Sequence, residues 1–192
     1  NSSIPNPGQM PENAIMAPWH DMDPSISGEL KYVMFGSAPN RKFYVSFDNI
    51  PMFSCVDSLS TTSIILHETS NVIDVFIKNK PLCTSWNSGV SILGLVNENS
   101  TSFNIVNDPV LLEPRNFPLN WFAEYEGWSF IPLNSSEYEI NQIPYNNYSF
   151  NEFDVFWIDE GYNIVSLNSS FNFTAKEYGD DVFYLCEQND TA

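Results

Sequence analysis

The hydrophobic pattern is sharpest over residues 64–86, where the runs Ile64-Ile65-Leu66 and Val72-Ile73-Asp74-Val75-Phe76-Ile77 are separated by Thr69-Ser70-Asn71. β-Branched and aromatic side chains suit a pleated surface, and short polar residues tolerate the backbone of a tight turn. The stretch predicts an antiparallel hairpin ending at Cys83, and no helical period fits it as well.

The flanks continue this pattern. Residues 30–35 read as a strand, 36–40 as a turn, and 42–49 as a second strand in which Phe43, Val45 and Phe47 alternate with Tyr44, Ser46 and Asp48. Residues 51–55 are expected to carry the chain out of the sheet before the 64–77 hairpin resumes the meander. Trp86-Asn87-Ser88-Gly89 predicts a turn, and the nearly all-apolar residues 90–96 predict a strand buried on both faces. Residues 97–102 turn again, and 103–120, with Pro109, Pro114 and Pro118, read as irregular. Residues 121–130 concentrate Trp121, Phe122, Tyr125, Trp128 and Phe130, and 127–131 predict the closing strand of a first domain. Upstream, residues 1–12 open without a strand, as though the domain were entered partway. The short apolar run Ala14-Ile15-Met16-Ala17-Pro18-Trp19 follows, and then a polar loop over 20–28.

A boundary is expected at 132–136, dividing the chain into domains 1–132 and 133–192. Beyond it, 153–158, 162–167, 171–175 and 181–187 predict short strands, with Asp159-Glu160-Gly161 as a hairpin turn. That spacing suggests a small sandwich.

Composition narrows the partners. Seven Lys and Arg against 24 Asp and Glu give a net charge of −17, which repels nucleic-acid phosphates and anionic lipid alike. With 16% of residues charged, Asn, Ser, Thr and Tyr must build much of the surface, as in secreted β proteins. No apolar run is long enough to span a bilayer.

The cysteines Cys55, Cys83 and Cys186 match no zinc spacing. In a meander, strands 42–49 and 72–78 run the same way with one strand between them, so they end at one rim roughly 10 Å apart. Cys55 and Cys83 lie just past those ends, where short loops bring them within bridging range. Two free thiols is the alternative, and Cys186 is left over.

Two resemblances add to this. Trp157 and Asp180-Asp181-Val182-Phe183-Tyr184-Leu185-Cys186 resemble the central Trp and the D-x-x-x-Y-x-C of immunoglobulin-like modules. No Cys precedes Trp157 at the distance an inter-sheet bridge needs, so Cys186 is free or pairs outside the chain. In the first domain, three segments occur in order: Ile15-Met16-Ala17-Pro18-Trp19-His20-Asp21-Met22-Asp23-Pro24-Ser25, then Val45-Ser46-Phe47-Asp48-Asn49-Ile50-Pro51-Met52-Phe53, then the hairpin through Pro81-Leu82-Cys83-Thr84-Ser85-Trp86-Asn87. Together they resemble, over roughly residues 5–131, a module of the SprB-type gliding-motility adhesins of Bacteroidota, exported by the type IX secretion system. The resemblance implies a multidomain surface adhesin whose module normally starts with further strands. Its implied partners are other modules of the same protein and the secretion or motility machinery, and it supplies no catalytic residues. Asp57-Ser58-Leu59 and Asp190-Thr191-Ala192 are similar to the O-glycosylation acceptor of that phylum.

Candidate chemistry is sparse. Asp21, Asp23, Ser25 and Ser27 alternate oxygen ligands ahead of Gly28 and could hold Ca²⁺, with Glu29 or a carbonyl completing the shell; the same carboxylates could equally accept loop amides. His20 and His67 lack any recognisable catalytic partner pattern. Glu124 and Glu126 beside Trp121, Tyr125 and Trp128 could begin a glycosidase site or a sugar-binding face, since hydrolysis needs two carboxyls and sugars stack on aromatics, or the aromatics could simply close the sheet. The sequence therefore predicts an all-β chain, a disulfide-stapled antiparallel β-sandwich followed by a smaller immunoglobulin-like sandwich. Its expected role is non-enzymatic adhesion or spacing at the cell surface, with a polysaccharide-binding accessory module as the rival.

Overall fold

A computed structural model describes residues 3–8, 11–145, 155–159, 164–166 and 183–187. Its strands are β1 (Ala14–Trp19), β2 (Glu29–Phe35), β3 (Lys42–Met52), β4 (Cys55–His67), β5 (Ile73–Lys80), β6 (Ile92–Val96), β7 (Phe103–Ile105), β8 (Ala123–Pro132), β9 (Tyr138–Ile143), β10 (Val155–Asp159), β11 (Ile164–Ser166) and β12 (Phe183–Glu187). No helix among the described residues is long and apolar enough to cross a membrane.

A six-stranded antiparallel sheet runs β2-β3-β4-β5-β8-β9, and a three-stranded sheet runs β1-β6-β7. Alternating side chains of the large sheet, Val75, Ile77, Trp128 and Phe130, meet Ala17, Leu93, Leu95 and Val106 of the small one, which makes a sandwich. The opposite face of the large sheet buries Tyr44, Ile65 and Phe76. A further antiparallel sheet, β11-β10-β12, sets Trp157 opposite Leu185 and Phe156 opposite Cys186. The strand expected at 171–175 and the turn residues Glu160 and Gly161 lie outside the described residues.

Several segments depart from the local pattern. Residues 51–55 do not leave the sheet: β3 and β4 form one long hairpin closed at Phe53-Ser54, with Met52 opposite Cys55. Two register shifts in that hairpin let Pro51, which has no N–H, sit within the ladder. The apolar strand after the disulfide does not continue the meander. Instead β6, buried at all five positions, becomes the centre of the small sheet. The expected boundary at 132–136 is a hairpin turn, in which Asn134 Oδ1 accepts the amides of Ser136 and Glu137, so the large sheet continues through β9.

One irregularity positions the chemistry. The pairing of β4 with β5 shifts register between Thr62 opposite Ile77 and Thr61 opposite Asn79, leaving Lys78 as a bulge. On β8, Tyr125 has a left-handed backbone (φ 53°). Below this level Val75, Ile77 and Trp128 face the core, and above it Lys80 and Ala123 do. The parity change turns Lys80 inward and separates Glu124, which stays exposed, from Glu126.

Candidate functional site: a stapled rim over buried cations

At the far end of the β4–β5 hairpin, Cys55 and Cys83 form a disulfide with a Cα–Cα distance of 5.8 Å. The meander does bring both cysteines to one rim. Cys55 opens β4, the strand next to β5, so the span is shorter than that between the ends of β3 and β5.

The three segments that carry the adhesin resemblance converge here. Past β1 the chain crosses to the large sheet: the Asp23 amide donates to the Pro51 carbonyl (2.9 Å), the Phe53 amide donates to the Asp21 carbonyl (3.1 Å), and Met22 bridges Met52. Trp86 Nε1 donates to Asp21 Oδ2 (2.8 Å), and its ring meets Phe53 edge-on with centroids 4.6 Å apart. Both rings remain about two-fifths exposed. Residues distant in sequence thus hold two aromatic side chains, about two-fifths in solvent, on a cross-linked frame.

The loop read as a calcium candidate is tied by protein donors. The Asp21 carboxylate serves Trp86, and Asp23 Oδ1 accepts the Ser25 amide and hydroxyl in a short turn. No hydrogen bond of Ser27 joins this network. Gly28 (φ 89°) passes so close to the Asn49 carbonyl that a Cβ would sit 2.7 Å from it, which accounts for glycine there. Among the described residues no group of three or more His, Cys, Asp or Glu side chains gathers as a metal site.

The aromatic strand does not present a common stacking face. Trp121 and Trp128 are 2% and 6% exposed, whereas Tyr125 is 64% exposed and packs edge-on against Tyr145. The three side chains expected to bind sugar therefore do not share one exposed face. Trp121 Nε1 donates to the Ser91 carbonyl and Trp128 Nε1 to Glu126 Oε2, so both indoles are core groups with satisfied polar edges.

Around Trp121 lies a centre absent from the sequence reading. Arg115, 1% exposed, places its guanidinium 4.1 Å from the Trp121 ring centroid, donates a fork to Glu126 (2.5 and 2.9 Å) and bonds Asp108 Oδ2 (3.1 Å). Lys80, wholly buried, donates from Nζ to the Trp121 carbonyl and lies 4.5 Å from the same ring. The sequence signal was scarcity alone: basic residues are rare in this chain, and two of them are spent in the core. His67 has a plain cross-strand role, with Nε2 2.8 Å from Asp74 Oδ2.

Burial, then the charge of Arg115, lowers the Lys80 pKa to about 7. Burial, then the charge of Lys80, lowers that of His20 to about 4. In each case the unfolded chain holds the extra proton, between pH 7 and 10.5 for Lys80 and between pH 4 and 6.5 for His20, so stability rises with pH across both windows. Thermal melts from about pH 7 to 9.5 should show that rise in the wild type and lose it in Lys80→Met; equal slopes in the two proteins would exclude Lys80 as its source.

No curated protein and no solved structure matches the chain. The family model described as NIDO related matches residues 1–115, a span that takes in the two sheets' first strands, the disulfide and all three converging segments. That is more than half of the 192 residues, and the chain accordingly belongs to the NIDO-related family, a module of extracellular, adhesive type.

Proposed function

We propose that the chain is a non-enzymatic adhesive segment of a large secreted surface protein, and that the stapled rim is its contact surface. The observation that carries this reading is the convergence of three separated segments on the Phe53–Trp86 pair. Rigid, half-exposed aromatics lose little entropy on docking and dominate interface energies. Family membership supports the extracellular adhesive setting. The resemblance of the same segments to SprB-type modules supports the finer one, gliding motility or surface attachment after type IX export, with neighbouring modules and the motility machinery as partners. The part of residues 133–192 that lies beyond β9, on this reading, contributes an immunoglobulin-like module. Calcium at Asp21, Asp23, Ser25 and Ser27, on this reading, would bind a loop in which Trp86 and the Ser25 amide and hydroxyl already bond the two carboxylates.

The test is adhesion of beads coated with the purified chain. Phe53→Ala with Trp86→Ala should reduce attachment several-fold while the melting temperature moves little, since both rings are partly solvated. Undiminished attachment would refute the rim as contact surface. Glycan-array binding that survives the double variant and is lost in Tyr125→Ala would favour a polysaccharide-binding accessory module instead.

A further inference from the structure

Strand β1 is paired on one side. Its partner β6 shows which of its backbone groups are engaged. Val106 donates to the Leu93 carbonyl and Asn97 donates to the Ser102 carbonyl, so the odd-numbered residues of β6 point their backbone toward β7. Gly94 and Val96 are left to bond β1, through their register partners Met16 and Ala14. By alternation, the N–H and C=O of Ile15 and Ala17 point to the opposite edge, where no strand among the described residues pairs with them. None of the six residues of β1 is charged, and what protects the edge against pairing is confined to its end, Pro18 and the register shift between Met16 and Trp19.

Along that edge runs a cleft of about 260 Å³, with Ile15, Ala17 and His20 on one wall and Phe47, Thr62 and Ile64 on the other. The buried Nδ1 of His20 makes no hydrogen bond of ordinary geometry. The floor is the sandwich interface itself, carried past the cover of the small sheet. Val75, in the core, is opposite Ile64; Ile64 is opposite Val45; and Val45 is opposite Tyr32. Leu30 and Met34 share that face with Tyr32, and the three are 56%, 55% and 70% exposed.

We propose that this cleft accepts an extended apolar peptide strand from another polypeptide, added to the edge of β1 as a fourth strand of the small sheet. The added backbone pairs with Ile15 and Ala17. Alternate side chains cover Phe47, Ile64 and the apolar face of β2, completing an inter-sheet core that the small sheet leaves half covered. With a host charge of −17, basic residues flanking the apolar core of the strand favour the encounter.

The probe is a synthetic decapeptide of alternating Val and Thr flanked by lysines, titrated into the whole chain by calorimetry and followed by amide exchange. Saturable one-to-one binding is expected, with new protection at Ile15 and Ala17 and a shift of the His20 imidazole resonances. The same peptide N-methylated along its pairing edge should bind at least about tenfold more weakly, and Phe47→Asp should abolish binding. The methylated peptide needs no folded variant, so the test holds even if Phe47→Asp destabilises the chain. Equal binding of the methylated peptide would overturn strand pairing. Protection of Ile15 and Ala17 in the free protein would mean the chain fills its own cleft, and protection appearing only with self-association would assign the edge to a second copy. Either result would overturn the proposal.

Discussion

Replacing Arg115 with methionine is expected to cost about 3–5 kcal/mol, read as a lower urea midpoint at unchanged slope. The guanidinium is buried and neutralises two carboxylates that are themselves almost buried, Asp108 and Glu126. Deleting the cation leaves both charges with little water and no counterion, which is why breaking such a pair costs more than forming it contributes. Asp108 shows how the site holds together. Burial pushes its pKa up, but the amides of Leu111 and Val110 and the Arg115 side chain outweigh that and hold it below its usual value. Its contribution is therefore present above the free carboxyl value of 3.8 and is lost as the pH falls through the lower folded value. Arg115→Lys should recover only part of the loss, since an ammonium cannot reproduce the fork to Glu126 or lie flat on Trp121. A loss below about 1 kcal/mol in Arg115→Met would show that the pair is screened like a surface ion pair.

Replacing both Cys55 and Cys83 with serine should cost about 3.5 kcal/mol on the chain-entropy account. The bridge spans 28 residues and closes the hairpin's far end, so its removal frees the unfolded chain and loosens the frame around Trp86. Wild-type protein in a thiol reductant should unfold at the denaturant midpoint of the double variant, and the variant should not respond to reductant. Bead attachment should fall in step, because Trp86 and Phe53 hang on segments that the bridge joins. Wild-type midpoints that coincide with and without reductant would contradict a stabilising bridge.

The strands at 42–49 and 64–77 were legible because period-two alternation is a local property of residues half buried on a pleated sheet. The turn at Thr69-Ser70-Asn71 and the shared rim of Cys55 and Cys83 follow from the same local geometry carried through a meander. What the pattern left open was non-local. The apolar run of β6 looks the same in sequence whether it extends the large sheet or centres the small one, and pairing with β1, far upstream, decides between them. Trp121 and Trp128 are as compatible with a sugar platform as with a core until Arg115 and the small sheet are laid against them.

Lys80 is the sharpest case. Strict alternation from Val75 and Ile77 would place it in solvent beside Lys78. The bulge at Lys78 and the left-handed Tyr125 on β8 turn it into the core together, a local change of parity stabilised only by a folded partner strand. The chain's own pattern therefore settled that it is an all-β protein with a polar, acidic surface, and placed Cys55 and Cys83 within bridging range. Tertiary pairing decided which cations are buried, which aromatics stand at the rim and which strand edge stays open, since backbone hydrogen bonding between distant segments overrides the side-chain period wherever register shifts.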